Sequence, residues 1–220
     1  ETGSITTRHN DGDKEINQEL HFNPKITRLK PAIDAIRKHY DPLAFRLAND
    51  HDLTKDEIDA AMSSSKYQKH LLQNPHSHIA MAILNDPKSN DETIQYVAGN
   101  QKSQIALAAL NHPKANSRTT RRAAQHHDPK VALAALNHLK ADYETIDYAV
   151  KHQDPKVALA ALNHPRAYST TTYRAAEHHD PQVAMAALNH PEADSRTLYY
   201  AVKHQDPKVA LAALNHPEAD

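Results

Sequence analysis

The sequence predicts an all-α solenoid, a superhelical stack of two-helix, 26-residue repeats. Three observations predict it. The dipeptide Leu-Asn returns at Leu84-Asn85, Leu110-Asn111, Leu136-Asn137, Leu162-Asn163, Leu188-Asn189 and Leu214-Asn215, 26 residues apart each time. Each interval holds two helix-start signals. The chain also has 13 Pro and only 3 Gly, a balance that suits short helices with rigid stops better than sheets with tight hairpins.

From the N-terminus, residues 1–4 are set aside, because Glu1-Thr2-Gly3 resembles the scar of a secretion signal cleaved from an expression vector. Residues 5–58 are expected to form an N-terminal helical cap or degenerate repeats. Within them 5–30 reads as polar and irregular, and helices are expected near 31–40 and 54–62. The run HNDGDKE at 9–15 is a polar turn, since it lacks the spacing and closing Glu of a calcium loop. Thr54 with Glu57 has the spacing of a capping box, and DPLAFRLAND at 41–50 echoes the later DPKVALAALNH. A degenerate repeat occupies 59–84 and five full units occupy 85–214. NHPEAD at 215–220 opens a sixth, so the array is expected to continue within a longer chain.

The unit at 137–162, NHLKADYETIDYAVKHQDPKVALAAL, shows how each element arises. Asp142 is a good N-cap for a helix from Tyr143 to about His152. Asp154-Pro155 places an N-cap before Pro at the first helical position, starting a second helix that runs to about Leu162. Asn163 is expected to end it in the left-handed conformation, and Pro165 blocks continuation. Helices of two to three turns are marginal alone and persist by stacking. In the first helix Ile146, Ala149 and Val150 form an apolar stripe opposite Glu144, Asp147 and Lys151. In the second, Val157 to Leu162 is apolar on almost every side, which predicts burial all round.

The run LNHPKA…AVKHQDPKVALAALNHP resembles the leucine-rich repeat variant family, two-helix solenoids related in style to HEAT and armadillo arrays. The resemblance spans about 59–220 and implies the architecture. Two features depart from it: the period is longer than the family's, and Ala158 stands where an Arg often follows the Val. The family's Cys-rich iron–sulfur module has no counterpart, because the chain contains no Cys.

Composition narrows the function. The formal net charge of −1 gives no drive toward nucleic acid or anionic membrane, and no run of 18 apolar residues exists to span a bilayer. No Ser-His-Asp set, phosphate loop or His-Glu-x-x-His string appears. The reading is therefore a non-enzymatic scaffold without cofactor or metal, whose partner is another protein. Across the five units the second helix hardly changes, while the outer face of the first helix varies. The candidate binding stripe is Arg118, Arg121, Arg122, Glu144, Asp147, Tyr148, Lys151, Tyr173, Arg174, Glu177, Arg196, Tyr199, Tyr200 and Lys203. A position alternating Tyr96, Arg122, Tyr148, Arg174, Tyr200 predicts Arg–Tyr stacking between neighbouring helices. It also supplies the alternative, a nucleic-acid array using Arg118, Arg121, Arg122, Arg174 and Arg196. A purely structural spacer is the third possibility.

Two histidine columns recur. His112, His138, His164, His190 and His216 follow the Asn, and His126, His152, His178 and His204 close the first helix. They are expected to cap helix C-termini rather than bind metal. The pairs His126-His127 and His178-His179 are expected to point apart. Protonation of the 18 His predicts sensitivity to pH. The Asn column is expected to close helices and bridge backbone groups between repeats.

Overall fold

In the computed structural model the chain is described at residues 3–11, 14–22, 41–74 and 76–219, and it divides into two units, Glu1–Phe45 and Arg46–Asp220. In the first, β1 (Gly3–Asp11) and β2 (Lys14–Phe22) pair antiparallel, with Gly3 opposite Phe22 and Asp11 opposite Lys14. This corrects the irregular, helical-cap reading over 5–22. The reason is local: β-branched Ile5-Thr6-Thr7 and Ile16 favour strands. The helix expected near 31–40 lies outside the described residues.

The second unit is an all-α solenoid. The chain crosses the boundary between the units within α1 (Pro42–Asn49), and α2 (Lys55–Met62), α3 (Ser65–Leu72) and α4 (Ser77–Asn85) follow. Five regular pairs follow: α5 (Asp91–Ala98) with α6 (Ser103–Leu110), α7 (Ser117–Ala124) with α8 (Pro129–Leu136), and α9 (Tyr143–Ala149) with α10 (Pro155–Leu162). The last two are α11 (Ser169–Ala176) with α12 (Pro181–Leu188) and α13 (Ser195–Val202) with α14 (Pro207–Leu214). Residue 59 lies within α2, so the pair preceding the regular units is α3 with α4. First helices pack on first helices, second on second, and each pair on itself, giving two layers.

The starts follow from capping chemistry. Asp154 adopts φ −80° and ψ 119° and accepts the Lys156 N–H, with Pro155 at the first helical position. Asp128, Asp180 and Asp206 repeat this. Asp142 accepts from Thr145 N, and the Thr145 hydroxyl accepts from Asp142 N–H. That is a capping box with Thr in the usual place of Glu or Gln. Thr54 and Glu57 form the expected box at α2.

The ends differ from expectation. Asn163 has φ −86° and ψ 7°, not the left-handed conformation. Its Nδ2 instead donates to the Leu159 carbonyl at 2.8 Å, and Asn137, Asn189 and Asn215 do the same one turn back. A side chain that satisfies a terminal carbonyl removes the need for a backbone reversal. α9 stops at Ala149, short of His152.

The core lies between the layers, where Ile146 and Ala149 of α9, its C-cap Val150, and Val157, Ala158, Ala161 and Leu162 of α10 are buried. The second helix is not buried all round, however. Leu159 and Ala160 are half-buried, because one side of the second layer faces solvent. No helix among the described residues is long and apolar enough to cross a membrane.

Candidate interaction surface

Helical periodicity places Glu144, Asp147 and Tyr148 on the outward side of α9, with Lys151 just past its end and Arg118, Arg121 and Arg122 beside them on α7. The structure pairs many of these charges with one another. Arg121 Nε donates to the Asp142 carboxylate at 2.9 Å, and its Nη1 lies 2.7 Å from Glu144. Burial pushes the Asp142 carboxyl up, but its bonds from Arg121 and Thr145 outweigh that and hold it below its usual value. Arg174 donates to Asp147, whose carboxylate also lies 3.5 Å from Lys151 Nζ. Arg118, Arg122 and Glu177 are exposed.

The alternating Tyr–Arg position does not form the expected ladder. Arg122 lies over Gly99, where a Cβ would run into its guanidinium. Arg174 is drawn to Asp147, a full opposite charge, in preference to the Tyr148 or Tyr200 ring. Tyr200 stacks on Tyr173 instead, with ring centroids 5.5 Å apart, and meets Tyr199 edge-on at 5.3 Å. Cations cover the same cluster. Arg196 lies 5.1 Å over the Tyr173 ring and Lys203 3.7 Å over Tyr199. Tyr96, Tyr148 and Tyr199 stand exposed on the row.

The histidines behave differently from helix caps. Nε2 of His126, His152, His178 and His204 meets the main-chain carbonyl of Asn100, His126, His152 and His178, each at 2.9 Å and 26 residues earlier. Nδ1 of each accepts the N–H of Asp128, Asp154, Asp180 or Asp206. A backbone N–H can only donate, so Nδ1 is unprotonated and Nε2 carries the hydrogen. Each imidazole thus ties one unit to the next. In the second column Nδ1 of His138 and His164 accepts the N–H of Lys140 and Arg166 within the same loop, and His164 also bonds the Leu136 backbone of the unit before. The rings of His126-His127 and His178-His179 stack at 4.4 and 4.3 Å rather than pointing apart. These residues lie beyond the helix end, so helical geometry no longer separates them. Among the described residues no three His, Asp or Glu side chains come together to hold a metal ion.

In the Asn column, Asn137, Asn163, Asn189 and Asn215 bond back to their own helix rather than between units. Asn74, which lies outside that column, does bridge: its Nδ2 donates to the Leu47 and Asp50 carbonyls at 2.9 and 2.8 Å. The sequence reading missed a buried Thr column, Thr93, Thr119, Thr145, Thr171 and Thr197. Its signal was a Thr three residues after each first-helix cap position. The chain matches no family model, no curated protein and no solved structure.

Proposed function

We propose that this chain is a non-enzymatic repeat scaffold that binds another protein through the first-helix row. The observation that carries the reading is the cluster of Tyr173, Tyr199 and Tyr200 flanked by Arg196 and Lys203. Tyr and Arg are the side chains over-represented among residues that dominate interface energies. Here rings and cations hold one another in place before a partner arrives, which lowers the ordering cost of association. Pairing of Arg121 and Arg174 with acids leaves the row without the continuous positive track that nucleic acid needs. We also infer kinship with the leucine-rich repeat variant and HEAT-like arrays, supported by the helix pair, the Asp-Pro turn and the Val-Ala start of the second helix.

The test compares proteins retained by the immobilised chain and by an Arg196→Glu/Tyr199→Ala/Lys203→Glu variant, with helicity monitored in both. Selective loss on the variant supports the reading. An identical set on both overturns it in favour of a spacer. Binding of single-stranded DNA or RNA that falls steeply with salt moves it to the nucleic-acid array.

A further inference from the structure

The second helices carry a surface that the first-helix row does not involve. In α8, Lys130, Leu133, Ala134 and Asn137 are spaced i, i+3, i+4, i+7 and so share one face. The outer two are exposed and the inner two half-buried. Helices α10 and α14 repeat the same four residue types. In α6 and α12 Gln replaces Lys, and in α12 Met replaces Leu. Val131, Ala132, Ala135 and Leu136 are buried, whereas Leu133 is only half-buried and its equivalents Met81 and Leu211 are exposed. Exposed positions on the first helices differ from unit to unit, so common descent of the units does not by itself keep exposed positions alike.

Between α4 and α6 lies an open groove of about 700 Å³ lined by Met81, Asn85, Gln104 and Ala108. From α4 to α14 no carboxylate occupies any position of this face. Lys130, Lys156 and Lys208 are exposed and form no ion pair among the described residues. The nearest acids along the chain, Asp128, Asp154 and Asp206, are turned to helix N–H groups.

A surface with one apolar step per unit, and a lysine in three of the five regular units, fits a ligand with the same step. Packed helices lie roughly 8–10 Å apart. A polyproline-II chain rises about 3.1 Å per residue with three residues per turn, so it returns a side chain to the same side every ~9 Å. A β-strand alternates faces and does not match. We propose that the second-helix row binds an extended acidic peptide in polyproline-II conformation, with an apolar residue at every third position seated against the Leu-Ala pair of each unit and carboxylates facing the lysines. This surface is separate from the first-helix row and stands or falls independently of it.

The test is fluorescence anisotropy of the full chain with three labelled peptides: five copies of Leu-Glu-Pro, a Leu-Glu-Glu-Pro series of equal length, and five copies of Leu-Lys-Pro. The acidic triplet should bind about tenfold tighter than either other peptide, and each added triplet should tighten it further. Leu133→Glu with Leu159→Glu should weaken it by about tenfold or more, whereas Arg196→Glu with Tyr199→Ala should leave it unchanged. If the Leu pair disturbs folding, Lys130→Glu with Lys156→Glu, at exposed positions, takes its place. Equal binding of the three peptides, or none up to about 1 mM, overturns the proposal.

Discussion

Nε2 of His178 donates to the main-chain carbonyl of His152 at 2.9 Å, while its Nδ1 accepts the Asp180 N–H at 3.0 Å. One neutral ring therefore closes a loop and fastens it to the unit before. Protonation would set a donor at Nδ1 against the Asp180 N–H, so the loop closure is lost with the neutral ring even though Nε2 can still donate to His152.

Stability is accordingly expected to fall with pH. Burial is the main cause that pushes the His126 and His178 imidazoles below their ordinary value. His127 and His152 act in the same direction on His126, and His179 and His152 on His178. The carbonyls of Asn100 and His152 and the carboxylates of Asp128 and Asp180 oppose them. A His with a depressed pKa binds fewer protons folded than unfolded, so stability is full above the unfolded value near 6.5 and declines as pH falls below it. The melting temperature should drop between about pH 7.5 and pH 5.5, and His178→Gln should reduce the slope. A flat profile would contradict the neutral ladder.

Neighbouring units supply the burial. Leu162 and Leu214 close identical octapeptides, yet Leu162 is 1% exposed and Leu214 61%. α10 lies between α8 and α12, whereas α14 meets only α12 in its own layer among the described residues. Leu162→Ala should cost on the order of 2–5 kcal/mol, and Leu214→Ala less than about 1 kcal/mol. Urea midpoints measure the difference, and equal losses would refute the stacking account.

Two asparagines with different bonds should separate in the same assay. Asn163 makes one exposed bond to Leu159, so Asn163→Ala should cost about 0.5–1 kcal/mol. Asn163→Gly should not stabilise, since φ is −86° and no left-handed conformation is being relieved. Asn74 is buried and serves two carbonyls. Asn74→Ala should therefore cost more, roughly 1–3 kcal/mol.

Gly99 ends α5 at φ −91°, which any residue tolerates. The obstacle to a side chain is the Arg122 guanidinium, the far end of an exposed, flexible side chain. Gly99→Ala should displace Arg122 and raise stability by up to about 1 kcal/mol, because the unfolded chain loses freedom. A loss greater than that would mean Arg122 is held more firmly than its exposure implies.

Local chemistry alone placed most of the helices. Asp154-Pro155 starts α10 and Leu162 ends it where the sequence says, because a cap, a Pro and a four-residue hydrogen-bond reach are all short-range. The 26-residue interval likewise announced the stacking, since helices this short require it. The strands at 3–11 and 14–22 had a signal in their β-branched residues, but overall polarity outweighed it.

What only the tertiary structure decided are relations between residues one repeat apart. Periodicity shows that His152 and His178 are equivalent, but not that the ring of one reaches the carbonyl of the other. It marks Leu159 as apolar, but not that its side of the helix stays open to water. It aligns Arg174 with Tyr148 and Tyr200, yet Arg174 goes to Asp147 and the freed Tyr200 stacks on Tyr173. In each case the outcome depends on which groups the packing of separate units brings within a few ångströms, and spacing along the chain does not encode that distance.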